Sequence, residues 1–260
     1  MKQKSYSPSL TIKKALSLLE ILGKKQCMRP TEIIQELNFT RSNVYRLLST
    51  LENQGYVERT LDSKYRLSYK IFVIGSTVPK GNQLVDAARP YMMKLAEISK
   101  ENINLAVMYD SQVLYVDKIL TPHYLKLDQP IGKMDPLHCT ALGKVLLSGL
   151  DGQEWEQFFR SNRLTANTKG TITDPKVLGA ALQEVRKQGW AVDLEELSEG
   201  IHCIGAPLRG YGNKTVAAIS ISGPSMRLTR NRIRRLKAPL IDAAREISMR
   251  LVQTHQSIFP

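Results

Sequence analysis

The sequence predicts an α+β protein made of two unlike parts, and three observations support this prediction. Apolar residues recur at helical spacing in the first 55 residues, whereas short strands and helices alternate from about residue 103 onward. The chain has 260 residues, enough for two ordinary domains. Positive charge is concentrated in the first part, since residues 1–71 carry thirteen basic and only six acidic side chains. We therefore predict a domain at 8–71, a linker at 72–85 and a domain at 86–257.

The first two helices are predicted from apolar spacing and from residues that begin or end helices. Gly23 is a natural end for a helix over 10–22. Pro30 suits the first position of a second helix, and Asn38 tolerates the left-handed backbone of a sharp turn after it. The residues that these helices are expected to bury are Ile12, Ala15, Leu16, Leu19, Leu22, Ile33, Ile34 and Leu37.

A third helix, predicted from Arg41 to about Asn53 with Thr40 as its N-cap, has one apolar and one polar face. Hydrogen-bonding side chains crowd the N-terminal end of the polar face, as a helix that enters the major groove of DNA requires. The apolar stripe consists of Val44, Leu47, Leu48 and Leu51. The candidates for contacts to bases or phosphates are Thr40, Arg41, Ser42, Asn43, Tyr45 and Arg46.

Two short strands at 56–59 and 64–67, joined by a turn at Asp62-Ser63, follow the third helix. Three helices and a hairpin in this order are typical of a winged helix-turn-helix. Its wing would place Arg59, Lys64 and Arg66 along phosphates. Two alternatives stay open at this point, namely an ordinary helical bundle with a solvated face and a winged helix that binds another protein.

The remainder of the chain predicts helices packed with an antiparallel sheet rather than a doubly wound parallel sheet. Asp110-Ser111 is expected to turn a hairpin between two strands. Pro90 is expected to kink or start a helix over 86–99. Further strands are predicted at 103–109, 112–119, 190–193, 203–208 and 216–222, and helices at 142–150, 175–187 and 229–253.

Several classes of protein are disfavoured by composition. The three cysteines are widely spaced, which argues against a disulfide framework and a zinc site. The first residues lack the apolar core of a secretory signal, and no apolar run is long enough to span a membrane. We expect a cytoplasmic protein with no cofactor, no metal and no membrane partner.

Dispersed motifs then identify a family. The chain resembles IclR-type transcriptional regulators in NFTRSNVYRLLSTLENQGYVER and KYRLSYKI near its start, and in motifs spread from residue 116 to residue 224. The later motifs are VDKI, PLHCTALGKVLL, GTITDP, QGWAVDLEELSEGIHCIGAPL and AAISISGP. One departure lies before the third helix, where members usually have Gly-Leu-Pro and this chain has Asn38-Phe39-Thr40.

The resemblance implies a regulator that binds double-stranded DNA, a helical linker, and a GAF-like α/β domain that binds a small-molecule effector. It also implies dimers or tetramers on palindromic operators. By position, the effector pocket would use the backbone N–H groups of Ala141 and Leu142 to hold a carboxylate. Leu142 is bulkier than the Gly or Ala usual there, which leaves the size of the ligand open. The other expected pocket residues are Asp193, Cys203, Ser220 and Ser222.

Each pocket residue also has a plainer interpretation. Ser220 and Ser222 would satisfy strand ends, Asp193 would be a solvated acid, and Cys203 would be a small core residue. A thiol-dependent enzyme using Cys139 and His138, with a partner-binding winged helix, is the alternative function. Adjacent residues rarely point at each other, so we predict no catalytic residues.

A second basic segment, residues 226–237, contains six basic residues and no acid, and the rest of the larger domain is neutral. The simplest interpretation is a solvated face at the start of the last helix. The sharper hypothesis is a second contact to DNA or to an anionic ligand. The identity of the effector, the operator sequence and the choice between repression and activation are not encoded in any recognisable motif.

Overall fold

The computed structural model describes residues 7–75, 83–125 and 128–256, and the chain divides into two units, residues 1–81 and residues 82–260. That junction falls inside the stretch that we predicted to be the linker. Residues 76–82 of the linker lie outside the described residues.

The first unit contains three helices, a two-stranded hairpin and a short fourth helix. The hairpin is antiparallel and pairs Glu58 with Arg66. The elements are α1 (Leu10–Lys25), α2 (Pro30–Leu37), α3 (Arg41–Asn53), β1 (Val57–Arg59), β2 (Tyr65–Leu67) and α4 (Tyr69–Gly75).

The predicted turn and caps of the helix-turn-helix are confirmed. Asn38 has φ 50° and ψ 43°, the left-handed conformation that ends α2. The Thr40 hydroxyl accepts a hydrogen bond from the Asn43 amide at 3.4 Å and so caps α3. The apolar stripe of α3 from Val44 to Leu51 is buried as predicted.

The prediction for α1 is wrong in two respects. The helix continues past Gly23 to Lys25, and Gln26, with φ 64°, ends it. Leu18 and Ile21 are buried, whereas Ile12 and Leu16, which we expected in the core, are 61% and 53% exposed. Helical spacing alone could not decide between two apolar stripes on a helix with leucine or isoleucine around most of its circumference.

The second unit is a six-stranded antiparallel sheet covered by helices on both faces, in the order β5-β4-β3-β8-β7-β6. This arrangement confirms the α+β class and the antiparallel sheet. Its elements are α5 (Gln83–Ser99), β3 (Asn102–Tyr109), β4 (Gln112–Ile119), β5 (Met134–Pro136), α6 (Ala141–Ser148), α7 (Gly152–Ser161), α8 (Pro175–Gln188), β6 (Ala191–Leu194), β7 (Ile201–Arg209), a 3-10 turn (Tyr211–Asn213), β8 (Thr215–Pro224) and α9 (Arg230–Gln256).

The hairpin turn at Asp110-Ser111 is present, and both residues have positive φ. Pro90 lies inside α5, seven residues after its start, so it does not begin the helix. Three short elements were not predicted from the sequence, namely β5, α7 and the 3-10 turn, and each has ten or fewer residues.

A β-bulge in β4 directs neighbouring side chains to opposite faces of the sheet. Leu105 pairs with Asp117 and Ala106 pairs with Tyr115, so Val116 is the extra residue. Tyr115 consequently packs on the α6 face, while the Asp117 carboxylate accepts from Arg89 of α5 at 2.8 and 2.9 Å. Without the bulge, both side chains would lie on one face.

Part of the second basic segment is turned inward. Glu101 is fully buried and accepts hydrogen bonds from Arg227 at 2.7 and 2.9 Å and from Arg232 at 3.3 Å. Arg232 also donates to the Ser99 carbonyl at the end of α5. These two arginines therefore join the start of α9 to the end of α5.

Candidate functional site

The polar face of α3 is open to solvent and carries the side chains predicted to contact DNA. Arg41, Ser42, Tyr45 and Arg46 are exposed, as is the cap Thr40, and Asn43 is half-buried. A helix with this polarity has its first turns free to enter a major groove.

The two arginines of α3 are held by neighbours on the same helix and not by acids. The Arg41 guanidinium lies 5.6 Å from the centroid of the Tyr45 ring. Arg46 donates to the Asn43 side-chain oxygen at 3.4 Å. Within the described residues neither arginine forms a salt bridge, so both keep their full charge for an anionic partner.

The three basic residues of the wing differ in this respect. Arg66 is paired with Glu58 at 2.6 Å and Lys64 with Asp62 at 2.8 Å, whereas Arg59 donates to the Ser63 hydroxyl at 3.0 Å. The hydrogen bond from Lys64 lowers the pKa of Asp62 to about 2. Arg59 is therefore the predicted wing cation whose charge is not already neutralised.

In the second unit, one cavity of about 330 Å³ lies between the sheet and the start of α6. We call it the effector pocket. It is lined by all six residues that the sequence analysis assigned to a ligand site, namely Ala141, Leu142, Asp193, Cys203, Ser220 and Ser222. The strands bring these distant residues together because β7 lies beside both β6 and β8.

The start of α6 presents two free backbone donors to the pocket. The Thr140 hydroxyl accepts from the Gly143 amide at 2.9 Å, and the Thr140 carbonyl accepts from the Lys144 amide. The amides of Ala141 and Leu142 have no acceptor within the described residues. Unpaired N–H groups at a helix start attract an anion.

Glycines allow α6 to approach the sheet. A Cβ on Gly143 would lie 2.1 Å from the Leu137 carbonyl oxygen, so no larger residue fits there. A Cβ on Gly205 of β7 would lie 3.2 Å from backbone atoms of Ala141. Small residues at these two positions therefore place the helix start directly over the sheet.

Asp193 is the most perturbed acid of the pocket and is not solvated, since only 1% of it is exposed. Burial raises its pKa to about 7, although the Glu196 amide donates to its carboxylate at 2.7 Å and opposes that rise. Beneath it, Glu196 forms a buried ion pair with Lys144 of α6. At neutral pH Asp193 can consequently both accept and donate a proton in hydrogen bonds.

Ser220 and Ser222 lie in the interior of β8 and not at a strand end. The Asn104 amide nitrogen donates to the Ser222 hydroxyl oxygen at 3.1 Å and to that of Ser220 at 3.4 Å. The two hydroxyl oxygens lie 3.5 Å apart, and the Ser222 hydroxyl also hydrogen-bonds Cys203, so the two serines belong to one hydrogen-bonded cluster in the pocket. Cys203, on the neighbouring strand, lines the same wall, and burial raises the pKa of its thiol, as does the charge of Asp193.

Six polar residues of the pocket were not predicted from the sequence. Two of them are Thr140 and Ser198, and the other four lie on β4, on β5 or in the loop before it. Lys133 bonds Gln129 at 2.5 Å and pairs with Asp135 at 2.9 Å. Tyr115 faces the pocket through the β-bulge, and burial raises the pKa of its hydroxyl, helped by Asp135. A polar alternation in DQPIGKMDP was the one signal in the sequence that could have indicated them.

The geometry does not support the thiol enzyme. Cys139 is fully buried, and burial raises the pKa of its thiol to about 12. The Nε2 atom of His138 lies 3.0 Å from the Thr165 carbonyl oxygen, and the neighbour of the Cys139 sulfur is the Asn167 side-chain nitrogen at 3.3 Å. A buried, protonated thiol of this kind is a poor nucleophile.

Two other properties of the described residues bear on partners. They contain no group of three or more His, Cys, Asp or Glu side chains placed to hold a metal ion. None of their helices combines the length and the apolar character that a membrane crossing requires.

Comparison with known proteins places both units in one family. The model of the "Bacterial transcriptional regulator IclR C-terminal" family matches residues 77–249, and that of the "IclR helix-turn-helix domain" matches residues 11–61. The regulator KdgR of Escherichia coli is 34% identical over 93% of this chain and 92% of its own length. The acetate operon repressor of Salmonella typhimurium is 30% identical over 92% of this chain and 89% of its own.

A solved structure shares the fold of both units. The crystal structure of the Thermotoga maritima IclR protein is 31% identical, covers 93% of this chain and 98% of that one, and superposes with a TM-score of 0.74.

Proposed function

Because the chain belongs to the IclR family of transcription regulators, we propose that it binds a palindromic operator through α3 and a small carboxylate in the effector pocket. The family membership establishes the coarser function, a DNA-binding transcription regulator with a C-terminal ligand-binding domain, and not an enzyme. The proposal concerns the kind of DNA site, the chemistry of the ligand and the coupling between them.

The observation that carries the ligand proposal is the pair of unpaired amides of Ala141 and Leu142 at the start of α6. They are suited to hold a carboxylate, and the hydroxyls of Ser220 and Ser222 would add donors. Asp193 and Asp135, which line the same pocket, supply acceptors. This division favours a carboxylate that also carries hydroxyl groups.

The variant Ala141→Pro tests the carboxylate directly. Proline suits the first helical position, which Ala141 occupies. The preceding residue, Thr140, has φ −119° and ψ 148°, a conformation that is allowed before proline. The variant therefore loses the N–H group of residue 141 while the helix start is kept. Glycerate, gluconate and benzoate serve as probes in calorimetric titrations, and each acid is compared with the alcohol in which a CH2OH group replaces the carboxylate. We expect the variant to lose about tenfold or more in affinity for an acid, the effect of one charge-assisted hydrogen bond.

Alcohol analogues provide the matched control. They should bind the wild-type chain more weakly than the acids do, and Ala141→Pro should change their affinity little. Equal losses for acid and alcohol would mean that proline merely blocks the pocket. Unchanged affinity for every acid would exclude the α6 amides as the carboxylate site.

For DNA, we propose that Arg41 reads base edges while Thr40, Ser42, Asn43, Tyr45, Arg46 and the wing contact the backbone. The wing residues of the proposal are Arg59, Lys64 and Arg66. A palindrome requires two copies of α3, so the working form is a dimer or tetramer of this chain.

The variant Arg46→Ala should weaken binding to DNA selected by the wild-type chain from a random pool by about 1–3 kcal/mol, with unchanged thermal unfolding of the second unit. Sedimentation of the same complexes measures the number of chains per duplex. Unaltered operator affinity would remove Arg46 from the contact set. One chain per operator would refute the palindrome.

Effector binding would then shift the population between assemblies with different spacing of the two α3 helices, because half-site spacing is fixed by geometry. Repression is the direction that the names of two relatives suggest. A regulator of promoters works in the compartment that holds the DNA, and the proposal therefore includes a cytoplasmic location. If saturating ligand changed neither operator affinity nor assembly, this mechanism would be wrong.

A further inference from the structure

A small cleft separates the first turns of α1 from the first half of α3. Thr11 and Lys14 contribute its polar wall on α1, and Asn43 and Arg46 contribute the wall on α3. Its volume is about 170 Å³. The cleft lies on the flank of α3 and not on its outward ridge, because it also borders Leu47 of the apolar stripe.

Four different donors face this cleft and no acid lines it. They are the Lys14 ammonium, the Arg46 guanidinium, the Thr11 hydroxyl and the Asn43 amide nitrogen. The first turns of α1 and of α3 contain no acidic residue. Within the described residues, neither Lys14 nor Arg46 forms a salt bridge, although Lys25, Lys64 and Arg66 of the same unit each have one.

Two contacts fix the cations instead. The Lys14 ammonium lies 5.2 Å from the centroid of the Phe39 ring. Arg46 donates to the Asn43 side-chain oxygen at 3.4 Å, which leaves the Asn43 amide nitrogen free to donate. Phe39 belongs to the turn between α2 and α3, so the turn itself positions a cation of α1 beside the DNA-facing helix.

We propose that this cleft holds a backbone phosphate of the DNA that α3 engages, with Lys14 and Arg46 as the two charged ligands. The proposal rests on the proposed docking of α3 on DNA and extends it by making α1 a third element of the interface. A phosphodiester matches the cleft because it is an anion with two unesterified oxygens and needs several N–H and O–H donors.

The contact is tested by the salt dependence of DNA binding in two variants, Lys14→Gln and Lys13→Gln. Both remove one positive charge from adjacent positions of α1. Lys13 lies in a different groove of α1, beside Ile12 and Leu16, and is therefore a matched control. Each variant is titrated by fluorescence anisotropy against a mixed-sequence duplex and against DNA selected by the wild-type chain, over a series of KCl concentrations.

We expect Lys14→Gln to reduce the slope of log affinity against log salt by about 0.9, the value for one phosphate contact, on both duplexes. Affinity at moderate salt should fall roughly three- to tenfold, equally for both sequences, because a phosphate contact does not read bases. Lys13→Gln should leave the slope unchanged. Phe39→Leu should weaken binding in the same direction while the charge is kept, since it removes the ring that positions Lys14.

Equal reductions of the slope in the two lysine variants would overturn the proposal, because the effect would then be one of net charge. An unchanged slope in Lys14→Gln, with normal thermal unfolding, would overturn it as well. If Arg46→Ala weakens operator binding and Lys14→Gln does not, the cleft is refuted while the docking of α3 stands. If neither variant matters, the docking of α3 is refuted too.

Discussion

Two basic segments of this chain carry a similar excess of positive charge and use it in opposite ways. Residues 1–71 have a net charge of +7, and residues 226–237 have six basic side chains and no acid. In the first segment Arg46 forms no salt bridge within the described residues, whereas Arg232 in the second is bound to the fully buried Glu101. The count of charges is therefore uninformative about their role until the location of the acids is known.

The two basic segments differ physically in whether an acidic side chain lies within reach of their cations. Helix α3, which we propose docks on DNA, has no acid in its first turn, so its arginines stay available to an anionic partner. Glu101 immediately precedes β3, far from the second basic segment in sequence, and burial without a partner would be costly for its carboxylate. Inward charges should consequently govern stability, and outward charges should govern DNA binding.

The largest expected effect is on the inward pair. The double variant Arg227→Gln and Arg232→Gln leaves the Glu101 carboxylate buried without a cation, which should lower the free energy of unfolding by about 3–5 kcal/mol. Urea denaturation measures the loss. Adding Glu101→Gln to the double variant should recover part of it, because the uncompensated charge is then removed. A loss below 1 kcal/mol would contradict the structural role.

Asp193 is the second inward charge, and its effect depends on pH. Its pKa is raised from 3.8 to about 7 in the folded chain, so the folded state binds more protons than the unfolded state between these values. Stability from this group is present below about pH 4 and is lost as pH rises toward 7, by up to about 4 kcal/mol.

Asp193→Asn should flatten that part of the curve, measured by denaturation at several pH values. Glu199→Gln, at an exposed position nearby, is the control and should leave the pH dependence unchanged. The charged groups that share the environment of Asp193 are Lys133, Asp135, Lys144 and Glu196. A wild-type curve without a decline between pH 4 and 7 would show that Asp193 titrates normally.

A smaller effect, on DNA affinity, is expected from the wing, where removal of an acidic side chain frees a cation. Glu58→Gln releases Arg66 from its ion pair and removes a negative charge near DNA. DNA affinity should rise a few-fold, and the salt slope should steepen by up to about 0.9. Glu36→Gln on α2, which frees Lys25 of α1 from its ion pair, is the control. Weaker binding in Glu58→Gln would mean that Glu58 orients Arg66 for its contact.

The smallest effect separates the two hypotheses for the second basic segment. Arg230, Arg234 and Arg235 are exposed and bind no acid within the described residues. If they form a solvated face, changing all three to Gln should leave both the unfolding free energy and the salt slope of DNA binding unchanged. A reduced slope would instead make this segment part of the DNA interface and would erase the contrast between the two segments.

The sequence was most informative where structure is local. The helix-turn-helix followed from residues within about thirty positions of each other, and its turn at Asn38 and cap at Thr40 are correct. The exposed face of α1 was predicted wrongly, because Ile12 and Leu16 continue an apolar pattern that no nearby residue contradicts. Burial of one stripe rather than another depends on what packs against it.

For the effector pocket, the sequence by itself determined six of the lining residues, on α6, β6, β7 and β8, through motifs that resemble one family. Only the tertiary structure decided that Tyr115, Lys133 and Asp135 join them, because a one-residue bulge and a short edge strand leave almost no pattern. It also decided that Asp193 is buried, with its pKa raised to about 7, and that Glu101 binds two arginines. A pKa and a buried ion pair depend on distances between residues far apart in the chain, and local propensity does not encode those distances.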